Sequence, residues 1–215
     1  MDFLKEFESI GDNCEFGMIQ KLYGFDEGSL LKWARIPKIY QLINFLENDF
    51  KEFYLLDNIS PKWDDMIEDT KYGLWFHSDL GSVMSENVRR WTLDDADARK
   101  QIYEVEYEKR TYLLKKFKNA IAENGKIFVY KMNALVEPSA IVRLHAALRR
   151  HGKANLLHVE QAAEGEACYR VAERGDGLWR SCLPRFAPYW PVTDYLPGAW
   201  EELCEEAYAA IRRSR

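Results

Sequence analysis

Lys126-Ile127-Phe128-Val129-Tyr130 decides the fold of this chain. Ile127 to Tyr130 are four consecutive residues with strong strand preference, set between two helical patterns, which is the rhythm of a βαβ unit. Upstream, Asn124-Gly125 closes a helix running from about Leu93-Asp94-Asp95 to Glu123. Its acidic start suits the positive end of a helix, and Ile102, Val105, Leu113, Phe117, Ala120 and Ile121 form its predicted inner face. Downstream, a helix is predicted over 138–150 and stops at Gly152, and Ala154-Asn155-Leu156-Leu157-His158-Val159 repeats the strand pattern. Residues 167–172 read as an edge strand, Gly175-Asp176-Gly177 as a hairpin turn, and 200–212 as a helix with Leu203, Cys204, Ala207 and Ile211 inward. This alternation predicts an α/β fold of three αβα layers around a mixed, mostly parallel sheet.

The first half opens with a short strand at Phe7-Glu8-Ser9-Ile10, a turn at Gly11, and a helix over 14–23 that stops at Gly24. A second helix is predicted over 36–50, with Pro37 at its first position and Ile39, Leu42, Ile43 and Leu46 as its apolar stripe. Residues 51–70 read as an irregular excursion. Tyr72-Gly73-Leu74-Trp75-Phe76-His77 then reads as a buried strand delivering His77 at its end. With 215 residues, 47% of them hydrophobic, the chain can bury one substantial core, and the βαβ rhythm continues across a composition shift near residue 134. One domain over 1–215 is expected.

Charge and motif content exclude several classes. The net charge of −5 is spread over interspersed acidic and basic residues, so no basic stripe invites nucleic acid. The start, Met1-Asp2-Phe3-Leu4-Lys5-Glu6-Phe7, lacks a leader pattern, and no apolar run approaches a membrane span, so a cytoplasmic protein without a membrane partner is expected. Cys14, Cys168, Cys182 and Cys204 form no C-x-x-C pair, which argues against a zinc ribbon or disulfide framework and makes three of them small buried hydrophobes. Neither G-x-G-x-x-G nor G-x-x-x-x-G-K-[ST] occurs, so no nucleotide cofactor, and no metal, is expected.

The chemistry concentrates at Gly11-Asp12-Asn13-Cys14-Glu15-Phe16-Gly17. A thiol at a helix N-terminus gains from the unpaired amides there, which favour the thiolate. Those amides, with the Asn13 side chain, are also placed to hold a developing oxyanion. Asp12 and Glu15 oppose this, because their charges raise the thiol pKa. The alternative is a capped turn with Cys14 packed inward. A catalytic cysteine needs a base, and the candidates are His77, His145, His151 and His158. His145 and His151 lie in an Arg- and Ala-rich helix, and His158 reads as a core residue. His77 sits at a strand end two residues before Asp79, a carboxylate placed to orient its imidazole.

Ser9-Ile10-Gly11-Asp12-Asn13-Cys14-Glu15-Phe16-Gly17 resembles the N-terminal signature of a largely uncharacterised bacterial family labelled papain-like cysteine peptidases. Leu30-Leu31-Lys32-Trp33-Ala34-Arg35, Phe76-His77-Ser78-Asp79-Leu80, Tyr107-Glu108-Lys109-Arg110 and Ile127-Phe128-Val129-Tyr130-Lys131 are similar to its later elements, so the resemblance spans roughly 7–135. It implies Cys14 as nucleophile and His77 as base, with a papain-like α+β fold as the alternative architecture. The sequence departs from the family where Ser78 separates His77 from Asp79 and where Tyr130 or Lys131 replaces an arginine. It also lacks the Cys-Gly-Ser-Cys-Trp pattern of papain itself, whose histidine spacing would favour His145, His151 or His158.

Trp33 and Arg35 are candidate pocket residues beside Cys14, and Tyr130 and Lys131 join them at the end of the deciding strand. Arg110 reads either as a surface partner of Glu106 or as a bidentate clamp for a substrate carboxylate or phosphate. Residues 186–195, rich in aromatics and proline, read as a cover over a sheet edge or a cleft, with core covering the preferred reading. Two functions fit. One is a thiol-dependent hydrolase or acyl transferase acting on an amide or ester through Cys14, His77 and Asp79, with Asn13 at the oxyanion. The other is a non-catalytic binding module with a structural Cys14, its ligand a small molecule, peptide or glycan; the family resemblance implies a link to cell-envelope polysaccharide.

Overall fold

The computed structural model describes residues 2–214. Strand β1 (Phe7–Ser9) leads into helix α1 (Glu15–Leu22), followed by β2 (Ala34–Arg35) and α2 (Ile39–Glu47). Then come β3 (Ile59–Trp63), β4 (Met66–Asp69), β5 (Leu74–His77), β6 (Ser82–Ser85), β7 (Val88–Trp91) and the long α3 (Ala96–Ala122). The second half holds β8 (Ile127–Lys131), α4 (Pro138–Arg149), β9 (Asn155–Gln161), β10 (Ala172–Gly175), β11 (Leu178–Leu183) and α5 (Pro197–Arg213).

The main sheet has the order β1-β8-β9-β11-β10, with the first four strands parallel and β10 antiparallel at the edge. Alternation along β8 shows why it forms the middle of three layers. Ile127 and Val129 point into one core with Phe16 and Ile19 of α1 and Trp200, Leu203 and Cys204 of α5. Phe128 and Tyr130 point into the other, with α2, the inner face of α3, and Ala140, Ile141 and Leu144 of α4. All five residues of β8 are buried, as a parallel strand covered on both faces requires. The fold is therefore α/β, with a mixed, mostly parallel sheet between helical layers.

Several expectations needed correction. Residues 51–70 are not irregular: β3 and β4 lie there, in an antiparallel sheet of order β2-β5-β4-β3 that also takes β5 away from the main sheet. Pro61 and the register shift at Pro61/Trp63 obscured the alternation of β3. Helix α2 begins at Ile39, with Lys38 as N-cap, so Pro37 precedes the helix. Val105 is 70% exposed on α3, and Tyr103 takes the inward place instead. The edge strand is β10, later than 167–172, and it pairs through the expected hairpin with β11, a central strand the reading omitted. Among the described residues, no helix is long and apolar enough to cross a membrane.

His158 lies on β9, 7% exposed, its Nδ1 3.5 Å from Glu160 and its ring beside Tyr130, with Arg180 opposite it on β11. Burial depresses its pKa to about 4 from an ordinary 6.5, with Arg180 adding to the effect and Glu160 opposing it. The folded state thus prefers the neutral ring, while the unfolded chain takes a proton near pH 6.5. The resulting stability is complete above that pH and is lost as pH falls toward 4. Urea unfolding should show this group removing about 1.4 kcal/mol per pH unit across that window. His158→Gln should lack that component; parallel pH curves for the two proteins would refute a buried neutral imidazole.

Candidate functional site

The carboxyl ends of β1 and β8 form a topological switch point, the position at which open parallel sheets commonly take their ligands. Helix α1, following β1, packs on the α5 side, whereas α4, following β8, packs on the α3 side. Adjacent parallel strands whose next helices diverge to opposite faces leave an opening between them. Cys14 and Lys131 both lie at this switch point. The chain beyond β1 stays against β8, with Ile10 N–H donating to Val129 O and Asp12 N–H to Lys131 O, each at 3.0 Å. Gly11 permits that approach, since a Cβ there would stand 3.0 Å from Lys131 O.

The centre of the site is a buried ionic cluster. Lys131 Nζ lies 2.8 Å from Glu15 Oε2 and 3.2 Å from Asp12 Oδ1, all three side chains at most 1% exposed. The ammonium also donates to Asn133 Oδ1 at 2.7 Å and sits over the Phe186 ring. Trp200 Nε1 donates to Glu15 Oε1 at 2.9 Å, and Asp12 Oδ2 accepts from Asn133 N–H and from the Tyr189 hydroxyl. Residues 186–189 therefore lie over the buried cluster at the end of β8, with Phe186 and Ala187 themselves part of the core.

Cys14 is the N-cap of α1 and half-buried. Its thiol pKa is raised, chiefly by burial and further by the carboxylates of Glu15 and Asp12; its own backbone N–H and Lys131 oppose the rise. Asn13 Oδ1 accepts the Glu15 N–H at 3.0 Å, which fixes the amide at the start of α1 and leaves Nδ2 as the end that could donate to an oxyanion. Its Nδ2 is buried without a hydrogen-bond partner among the described residues. Gly17, one turn on, lets Lys32 and Trp33 pack against α1: a Cβ there would fall 2.8 Å from Lys32 O and 3.4 Å from the Trp33 ring.

No hydrogen bond or ion pair joins Cys14 to an imidazole among the described residues. His77 ends β5 on the antiparallel sheet, and its Nδ1 lies 2.8 Å from Asp65 Oδ2. Asp65, not Asp79, is thus the carboxylate at His77; Asp79 instead offers its N–H to Glu106 Oε1 at 2.7 Å. The antiparallel pairing of β4 with β5 sets Met66 opposite His77, which brings the β3–β4 turn to the imidazole. Arg110 neither pairs with Glu106 nor lies free as a clamp. It donates to His77 O at 2.9 Å and lies over the rings of Phe76 and Tyr54, so it fastens the end of β5. Tyr130 is fully buried, its hydroxyl on Met132 Sδ.

Arg35 is the cation at the crevice without an acidic partner among the described residues. Its guanidinium lies 4.1 Å from the Tyr189 ring and 5.7 Å from Trp75, and its Nε is buried and unpartnered. Asp12 O accepts the Ile36 N–H at 3.0 Å, tying this strand to the Cys14 corner. Tyr189 keeps its proton, its pKa pushed up to about 12 by burial first and by Asp12 next. Sequence reasoning did not assign Asp65, Asn133, Trp75 or Tyr189 to a site. Tyr189 was discernible within the aromatic cover, whereas Asn133 and Asp65 carry no pattern of their own. Comparison of the chain with family models, curated proteins and solved structures finds no match.

Proposed function

We propose that this protein is a binding module whose ligand enters the crevice between β1 and β8, with Cys14 a protonated, structural thiol. One observation carries this reading: Lys131, the cation that would stabilise a thiolate, already serves two buried carboxylates, and among the described residues no base touches Cys14. A nucleophile in that position would need the opposite balance of charge. Arg35, stacked on Tyr189 and without an acidic partner among the described residues, favours a ligand that carries an oxyanion, whether a small acid or an acidic glycan.

The hydrolase reading retains support of its own. Cys14 caps a helix at the switch point, and His77 has an orienting carboxylate in Asp65, so a rearrangement joining thiol and imidazole would assemble a dyad. Alkylation separates the two. Iodoacetamide labelling of the folded protein, read at the Cys14 peptide across pH, should have its midpoint above that of an ordinary cysteine, since burial raises the thiol pKa. Rapid Cys14 labelling with a midpoint below about pH 8.5, the unperturbed thiol value, would reinstate the hydrolase.

A further inference from the structure

Cys168 and Cys182 lie outside the crevice, and neither the binding nor the hydrolase reading uses them. The connection from β9 to β10 lies against β11 at this point. Tyr169 N–H donates to Cys182 O at 3.0 Å, and the Cys182 thiol donates to Ala167 O at 3.6 Å. Both neighbours of Cys168 are therefore fastened to Cys182, one through its backbone and one through its sulfur. The Cys168 sulfur turns back on its own connection, 4.0 Å from Glu166 O, so both sulfurs contact carbonyls of residues 166–167. These contacts bring the two segments side by side, and a disulfide between them would require Cα atoms about 4.4–6.8 Å apart.

The geometry points to Cys168 and Cys182 as a dithiol that exchanges reversibly with low-molecular-weight disulfides such as oxidised glutathione. Exposure sets the order of steps. Cys182 is 2% exposed, while Cys168 is half-buried and within reach of solvent. The Cys168 thiolate attacks one sulfur of glutathione disulfide, forming a mixed disulfide and releasing one glutathione thiolate, which takes up the proton Cys168 lost. Cys182 then loses its proton and attacks the Cys168 sulfur. The second glutathione leaves with that proton, and both protein thiols end oxidised by two electrons, the glutathione disulfide being reduced to two thiols.

The second step is the slow one. Burial raises the Cys182 pKa to about 11, Glu166 adds to the rise, and Arg180 opposes it. Few molecules hold the Cys182 thiolate at neutral pH, so the mixed disulfide persists until the neighbouring sulfur reacts. The product ties the β9–β10 connection to β11 and closes a ring containing the exposed edge strand β10.

The test uses the whole folded chain. It is incubated with oxidised glutathione, quenched in acid, digested, and its peptides identified by mass. The expected product is an internal Cys168–Cys182 link that dithiothreitol reverses, with Cys14 and Cys204 still free and the melting temperature raised. Cys182→Ser should stop the reaction at a stable glutathione adduct on Cys168, and Cys168→Ser should take up no glutathione at Cys182. A wild-type protein that retains glutathione on Cys168 without closing the link would overturn the proposal. So would a link that forms only after denaturation, or one that includes Cys14. None of these outcomes depends on ligand binding in the crevice, so the proposal stands or falls apart from the binding reading.

Discussion

Lys131→Met should lower the unfolding free energy by about 3–5 kcal/mol, the cost of breaking a buried ion pair from one side. Lys131 Nζ is 2.8 Å from Glu15 and 3.2 Å from Asp12, and neither carboxylate reaches water. Methionine roughly matches the aliphatic stem of lysine, so the packing loss is small and the change isolates the charge. What remains is two carboxylates buried near one another with their shared cation gone. The second substitution Glu15→Gln should return part of the loss, because it removes one of those charges while its amide oxygen can still accept from Trp200. Urea unfolding of the single and double variants measures both quantities. A Lys131→Met loss under about 1 kcal/mol would mean that the cluster behaves like a solvated surface pair.

The same cluster marks the limit of what the sequence disclosed. Phe128 and Val129 announce β8 because a doubly covered parallel strand is apolar on both faces, and such a run needs no partner to be recognised. The helices were legible for a similar reason: Leu203, Cys204, Ala207 and Ile211 repeat at the helical period and all turn inward in α5. β11 was less visible because Arg180 and Ser181 interrupt Leu178-Trp179-Arg180-Ser181-Cys182-Leu183; Arg180 finds Glu160 and Glu166 only in the fold.

The site follows the same division. Gly11 to Gly17 was readable as a corner, yet which carboxylate would meet which cation depends on contacts distant in sequence. Asp12 and Glu15 were expected to burden Cys14, and they do, but Lys131 pairs with both carboxylates only because β1 and β8 are neighbours. His77 drew Asp65 through the β4–β5 register, a pairing invisible while 51–70 read as irregular. Local proximity favoured Asp79, and strand pairing overrode it.

Trp200→Ala should destabilise the protein by about 3–5 kcal/mol, as expected for removing a buried aromatic side chain from a packed core. Trp200 is fully buried, its ring 5.0 Å from Phe16 and 6.5 Å from Phe186, so it joins α5 to α1 and to the cover of the crevice. Its indole N–H also donates to Glu15 Oε1 at 2.9 Å. Trp200→Phe separates these roles, since it keeps most of the ring contacts and deletes the donor. The loss of a hydrogen bond to a charged group predicts about 1.5–3 kcal/mol for the phenylalanine variant. Because Lys131 holds the other oxygen of the same carboxylate, the effects of Trp200→Phe and Lys131→Met should not add; the double variant should differ from their sum by at least about 0.5 kcal/mol. Strict additivity would show that Glu15 does not couple the indole to the ammonium, and would separate the α5 core from the charge cluster at the end of β8.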